Sequence, residues 1–347
     1  MEINETFVRT SKNYSVNSFS VPDKTFDVEH KTFSGFTTNY NGVLRTNKKL
    51  PLSPLCEKAK KEIENANISV KINIDKNYQA PVILNFDFAN DDYLVDSIKI
   101  HLEEGIKANL ILNYKSNKKI YHNGFISIEC EKDSAISCVM IFDLSKDSDN
   151  FISLENAVKE NANLNFTMID FSGNYSVSRY ITDLIGDNAT SDLKTMYISD
   201  KDSKIDLNYA QNIFGKNSNA TIKTVGALQG NSTKNFKGII DFKRGSTKSI
   251  GNEEELCLLL SKIAKSKALP LLCCSEEDVS GSHSSATGKI GEKELFYIMS
   301  RGLNKTEGLK LLLKAKFSKI LDDLFDSELI KEINKRIDEK IIDEKSK

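Results

Sequence analysis

Between residues 101 and 197 the chain alternates short apolar runs with clusters of Asn, Asp, Gly and Ser, and it does so at a regular interval. The segments HLEEGIKANLIL (101–112), CEKDSAISCVMI (130–141), KENANLNFTMID (159–170) and GDNATSDLKTMY (186–197) align with Ala108, Ala135, Ala162 and Ala189 at intervals of 27, 27 and 27. Ala220 continues the series after 31 residues and Ser246 after 26. A fixed period of roughly 20–50 residues marks a solenoid, whose units bury their apolar sides only by stacking on one another. No sustained i, i+3, i+4 spacing runs through this region, and its apolar and β-branched pairs are broken by turn residues, so each unit reads as short strands. Polar turns such as Asp187-Asn188 and Lys216-Asn217 then lie outside the coil. A β-sandwich of regular hairpins is the alternative; the near-constant interval favours a parallel β-helix.

The flanks follow other patterns. Residues 1–80 are mixed, with poor order expected over Thr10 to Ser20. SPLCEKAKKEIENA (53–66) predicts a short helix with Ser53 as N-cap and Pro54 at the first helical position. PVILNFDF (81–88) reads as a strand. In ELFYIMSRG (294–302), Leu295, Ile298 and Met299 share roughly one face. Asn304 with Glu307 forms a capping-box variant opening LKLLLKAKFSKILDDLF (309–325), an amphipathic helix, and SELIKEINKRIDEKIID (327–343) repeats the pattern. EELCLLLSKIAKSKALPLL (254–272) is ambiguous between helix and strand by periodicity. The expected organisation is mainly β: a mixed N-terminal region (1–80, partly disordered), a right-handed parallel β-helix core (81–289) and a C-terminal helical domain (290–347).

Composition narrows the function. Lys plus Arg (48) balances Asp plus Glu (49), and six of the 48 cations are Arg, the preferred residue for bidentate phosphate recognition. A nucleic-acid partner is therefore not expected. No stretch approaches the roughly 20 apolar residues that span a bilayer, and the first residues lack the pattern of an export signal, so no membrane partner and a cytoplasmic location are expected. The six cysteines (Cys56, Cys130, Cys138, Cys257, Cys273 and Cys274) lack metal-finger spacing and read as free thiols in a reducing compartment. Adjacent Cys273 and Cys274 point to opposite faces of a strand.

Of four histidines, His283 stands in DVSGSHSSATGKIGEKELFYIMSRG (278–302), between serines and a predicted helix. By its chemistry alone it reads as a loop histidine holding backbone carbonyls rather than as a metal ligand, a lone imidazole being a weak signal. Ser282, His283 and Asp278 do not make a serine hydrolase, because the G-x-S-x-G elbow is missing. No G-x-x-x-x-G-K-[ST] exists, which excludes a P-loop ATPase. No catalytic residue and no stably bound cofactor are assigned, and the chain is not expected to be an enzyme.

FKGIIDFKRGSTKS (236–249), LLLS (258–261), ALPLL (268–272), EDVSGSHSSATG (277–288) and KIGEKELFYIMSRGL (289–303), followed by an amphipathic helix, resemble the SufB/SufD family. These are the scaffold subunits of the SUF iron–sulfur cluster assembly system. The match covers the last third most strongly. SufD-type chains read D-V-x-C-x-H-G-A-T through the histidine, and SufB-type chains E-H-E-A-T-T-S-K-I-G-E. Here Asp278-Val279 is similar to the first and Lys289-Ile290-Gly291-Glu292 to the second. Gly281 stands at the SufD-type cysteine position, Ser282 at the SufB-type glutamate, and Ala264 where SufB-type chains carry another cysteine. Glycine and alanine can neither accept sulfur nor ligate iron.

This mixture resembles the single-scaffold form of minimal SUF systems. The resemblance implies strands for residues 254–289. It also implies His283 as a cluster-site ligand at a subunit interface; Cys273 or Cys274 standing in for the missing thiols is the lesser alternative to two ordinary thiols. Implied partners are a second copy (or a SufB) through the β-helix end, the SufC ATPase through the C-terminal helices (residues 304–325, with ATP bound on SufC), and indirectly a cysteine desulfurase system. The cluster would be held only transiently. The alternatives are a SufD-like subunit pairing with a separate SufB, and a β-helix enzyme acting on polysaccharide; the latter gives the histidine motif and helical tail no role.

Overall fold

The computed structural model describes residues 1–347 other than 10–13, 28, 30, 46–49, 172 and 342–347. An antiparallel pair, β1 (Glu2–Ile3) with β2 (Phe19–Ser20), precedes β3 (Phe36–Thr38), β4 (Val43–Arg45) and the helix α1 (Glu57–Glu64). Sixteen strands then alternate between two sheets. One sheet takes β5 (Ile68–Ile74), β7 (Tyr93–Leu102), β9 (Tyr121–Cys130), β11 (Asp149–Val158), β13 (Tyr175–Leu184), β15 (Lys204–Ile213), β17 (Thr233–Phe242) and β19 (Lys265–Cys274). The other takes β6 (Val82–Asp87), β8 (Lys107–Lys115), β10 (Ala135–Asp143), β12 (Asn163–Asp170), β14 (Thr190–Ser199), β16 (Asn219–Leu228), β18 (Ser249–Leu259) and β20 (Val279–Lys289). Helices α2 (Glu292–Ser300), α3 (Lys305–Leu321) and α4 (Ser327–Lys340) follow.

Each strand pairs in parallel with the strand two positions on, so the chain winds as a parallel β-solenoid of about eight turns. Side chains level with one another form columns up the lumen. Leu110, Cys138, Phe166, Leu193 and Ile222 make one such column, all essentially unexposed. Stacked rings extend another: Phe86 lies 4.4 Å from Tyr114 and nearly parallel to it, and Tyr114 lies 4.9 Å from Phe142. Each buried aliphatic side chain is worth about 1.5–3 kcal/mol, available only because a neighbouring coil covers it.

The period is set by a turn rather than by the alanines. Gly105, Asp133, Asn161, Asn188, Asn217 and Lys248 all hold left-handed backbone (φ from +52° to +71°). Each donates its backbone N–H to a carbonyl of the next coil, as Asn161 does to Asp187 at 2.9 Å. Gly, Asn and Asp adopt this conformation most cheaply. These residues recur after 28, 28, 27, 29 and 31 positions. The alanines drift against that frame: Ala135 is level with Lys107, not with Ala108.

Both outer faces are covered. Over the β10–β18 surface, Val139, Ile169, Met196 and Val225 meet Leu313, Phe317 and Ile320 of α3 and Ile333 and Ile337 of α4. Arg336 pairs with Asp143 at 2.6 Å and Lys340 Nζ donates to the Phe171 carbonyl at 2.7 Å, fixing α4 along the sheet. Over the other sheet, Ile3, Phe19, Phe26, Leu55 and Ile63 cover Val95, Phe125, Phe151 and Val177. The helices thus lie along one side of the solenoid rather than across its end.

The two ends differ. At the N-terminal end β3 and β4 pair antiparallel with β6 and β5, and the Phe36 and Phe86 rings meet at 5.1 Å. At the other end β19 and β20 are the terminal strands of their sheets among the described residues.

Several expectations shift. Residues 254–272 fall mostly in β18 and β19. The parallel ladder begins at Ile68, ahead of the boundary drawn at 81. In the segment from Thr10 to Ser20, residues 10–13 lie outside the described residues, whereas Val16 is fully buried and Phe19–Ser20 is strand. The short helix starts later than read: Cys56 is its N-cap, its sulfur accepting from the Ala59 N–H, because Ser53 is drawn away. The Ser53 hydroxyl accepts from Arg179, and its N–H donates to Glu155. The Asn304–Glu307 capping box is present in both directions.

The N-terminal segment is pinned by a buried ion pair. Lys237 Nζ donates to Asp206 Oδ2 and to the Asn4 carbonyl, both at 2.8 Å, and both ionic side chains are fully buried. Burial pushes the Asp206 carboxyl up and the Lys237 ammonium down, against the attraction between them. Removing one partner strands the other charge. Lys237→Met is expected to destabilise the fold by about 3–5 kcal/mol in urea denaturation, and the double change Lys237→Met/Asp206→Leu to recover most of it.

Candidate functional site

His283 lies in the middle of β20, not in a loop, and β20 is exposed over Ser280–Ala286. As a terminal strand, β20 ladders among the described residues with β18 on one side only, leaving the peptide groups of its other side without a strand partner there. Alternation places Gly281, His283, Ser285 and Thr287 on the lumen side. Across the lumen, Thr287 Oγ1 meets Ser266 Oγ of β19 at 3.2 Å. The β19 edge is touched from outside, where the Tyr14 hydroxyl donates to the Ala268 carbonyl at 3.3 Å.

The lumen changes character here. The column Leu110, Cys138, Phe166, Leu193, Ile222 continues as Glu253 and then His283. Its neighbour, Leu112, Met140, Met168, Thr195, Thr224, continues as Glu255 and then Ser285. Glu255 is satisfied: Lys234 Nζ donates to it at 2.5 Å inside the lumen, and the Ser285 hydroxyl at 2.7 Å. Glu253 is not. It is 2 % exposed, and neither carboxyl oxygen has a hydrogen-bond partner of ordinary geometry. Desolvation, reinforced by Glu255, pushes its carboxyl up to about 8, with the Leu271 backbone N–H pulling weakly the other way. Space for it comes from Gly238, where a Cβ would lie 2.5 Å from the Glu253 carboxyl carbon.

The remaining sequence candidates scatter. His122 is buried in the lumen between Asn150 (2.7 Å) and Asp96 (3.3 Å), His101 lies beside Glu129, and His30 is outside the described residues. Ala264 is buried just ahead of β19. A Cβ at Gly281 would meet Phe242 at 3.2 Å and Leu272 at 3.3 Å, so that position faces the lumen. Burial pushes the half-buried Cys273 thiol up, while Cys274 is exposed. Because Leu272 is level with Gly281, Cys274 continues away from His283, about 13 Å along the strand. Neither thiol therefore joins the histidine within one chain. Among the described residues no group of three His, Cys, Asp or Glu gathers as a metal site.

Glu253 and Glu255 were not singled out from sequence. The signal was available: laying GNEEEL (251–256) on ATIKTV (220–225) puts Glu253 where the preceding coil has Ile222.

The helical region divides in two. Leu313, Phe317, Ile320 and Leu321 of α3 are buried on the sheet, so most of the apolar surface of 304–325 is already occupied. α2 buries none of its residues, and Phe296 (74 % exposed), Tyr297, Met299, Leu303 and Leu311 face out. Leu295 and Ile298 hold α2 against Gly308, where a Cβ would come within 2.9 Å of Leu295. No helix among the described residues is long and apolar enough to cross a membrane.

A two-sheet parallel solenoid with helices along one flank, one end closed and the other an open, histidine-bearing edge, defines the class. The chain belongs to the SufBD family: residues 86–316 match the family described as SUF system FeS cluster assembly, SufBD core domain. It is 28% identical over 149 residues to the iron–sulfur cluster assembly protein SufD of Bacillus subtilis, covering 43% of this chain and 34% of that protein. It is 31% identical over 154 residues to an iron–sulfur cluster assembly SufBD family protein of Pyrococcus horikoshii, covering 44% of this chain and 34% of that one. The match thus spans about a third of the length of these relatives.

The perturbed carboxyl has a pH signature. Glu253 is held above the ordinary 4.5, so the folded chain carries a proton there that the unfolded chain has lost. Its contribution is fully present below about 4.5 and is lost as pH rises towards 8. Glu253→Gln is expected to flatten this slope and to raise stability by roughly 2–3 kcal/mol at pH 7, with little gain at pH 4.5. Urea unfolding at the two pH values checks it.

Proposed function

We propose that this chain is a non-ATPase scaffold subunit of a SUF complex, on which iron–sulfur clusters are assembled at the open end of the solenoid. The observation that carries the reading is the asymmetry of the ends: one sealed by antiparallel strands, the other leaving the outer edges of β19 and β20 without a further strand among the described residues, with His283 on exposed β20. A second scaffold chain set edge to edge against β20 supplies the missing peptide partners and further ligands, which do not gather among the described residues of one chain. The preferred partner is a second copy, a two-fold pairing in which both histidines meet at one seam. The similarity to SufD supports a SufB-type partner as the second arrangement. The cluster is cargo, released after assembly, and the chain carries out no catalysis of its own.

The exposed apolar surface of α2, with Leu303 and Leu311, is the docking site for the SufC ATPase. One short turn, Ile290-Gly291, joins β20 to α2, so a pull on α2 reaches the histidine strand directly. α3 and α4 are fixed along the sheet and act as the anchor. Nucleotide-driven pairing of two SufC subunits then strains the seam and opens it.

Two outcomes test this reading. His283→Ala is expected to lower the cluster yield of the reconstituted complex, read as iron and sulfide under anaerobic conditions, without dissociating it; an undiminished yield removes His283 from the mechanism. Phe296→Asp/Tyr297→Asp should abolish SufC co-purification, since removing a buried aromatic anchor typically costs ~2 kcal/mol or more, about 30-fold in affinity. Retention of SufC counts against α2 as the docking site.

A further inference from the structure

Among the described residues, Glu253 is a buried lumen carboxylate at the open end with no cation and no side-chain partner. Glu255, two residues on, has a lysine and a serine; Glu253 has an apolar wall, a glycine beneath it and His283 level with it on the adjacent strand. The Cα atoms of such a pair stand about 4.8 Å apart, and both side chains point to the same side of the sheet. Swinging the carboxyl out of the space over Gly238 gives up only its weak contact with the Leu271 backbone N–H. A buried carboxyl with no cation and only a weak backbone donor gains most from a positive charge brought next to it.

We propose that Glu253 is a second ligand beside His283, so that each chain brings one carboxylate and one imidazole to a divalent transition-metal cation such as iron(II) at the mouth of the lumen. This rests on the reading of His283 as a ligand and adds to it the residue that completes the half-site. Oxygen and imidazole donors together suit a borderline cation. The Glu253 carboxylate and a His283 ring nitrogen donate to the cation, and any proton either group carries passes to solvent. No electron is transferred. Lys234 stays on Glu255 and does not compete. With no third His, Cys, Asp or Glu gathered at the site among the described residues, water or the second chain fills the remaining positions.

The test uses the full chain and cobalt(II) as a spectroscopic probe, with iron(II) under anaerobic conditions as a second arm. Calorimetry reads the affinity and the stoichiometry. Wild type is expected to bind one cation per chain at pH 7. Glu253→Gln, which keeps the size and shape of the side chain, should bind at least tenfold more weakly. Glu254→Gln, on the outer face of the same strand, should match wild type. Equal affinity in Glu253→Gln overturns the proposal, as does a wild-type chain that binds neither cation. If His283→Ala weakens cobalt binding while Glu253→Gln does not, the Glu253 assignment falls and the scaffold reading stands. An unchanged cluster yield in His283→Ala removes both.

Discussion

A stack of parallel strands cannot stop without leaving a row of peptide groups unpaired, and everything distinctive about this chain follows from how its two ends meet that constraint. At the N-terminal end β3 and β4 reverse direction, pair with β6 and β5, and close the lumen with aromatic rings. At the other end nothing comparable covers β19 and β20 among the described residues, and the last strand is exposed over most of its length. Long unprotected edges invite pairing with another chain, and proteins that remain monomeric blunt them. Here the β20 edge is left clear among the described residues, with the C-terminal helices laid along the flank, the N-terminal segment over the opposite face and Tyr14 touching β19 alone.

The chemistry concentrates at the same end. For five coils the column leading to His283 is apolar; then it becomes glutamate and histidine within two rungs. An apolar column stabilises a solenoid, whereas an unpartnered carboxyl destabilises it. The polar rungs therefore make sense as features of a surface that meets something, not of a core. The helices extend this logic: α3 and α4 are bound to the sheet by buried apolar contacts and ion pairs, while α2 keeps its aromatic side chains in solvent and sits two residues from the histidine strand.

Much of this was legible in the sequence. The coil period, strand PVILNFDF and the Asn304–Glu307 cap stand in the letters because each rests on local chemistry: turn residues, alternation and a reciprocal cap. By residue pattern the serines and glycine around His283 read as a loop, whereas the resemblance implied strands for 254–289, and the ladder with β18 makes this segment a strand. The alanine frame found the period but not its phase, because the locked feature is the left-handed turn at Asp133, Asn161 and Asn188. Long-range contacts were invisible: Ser53 is taken from its helix by Arg179, 126 residues away. Glu253 was hidden for the same reason, its burial being a property of the stack rather than of NEEE.

The most direct measurement is amide hydrogen exchange across β20, residues 279–289, in dilute isolated chain and in the assembled scaffold pair. The account predicts that these amides exchange quickly in the lone chain and gain strong protection on assembly, together with β19, while β3 and β4 at the closed end stay unchanged. A pair that forms with β20 still exchanging as fast as in the lone chain would contradict it.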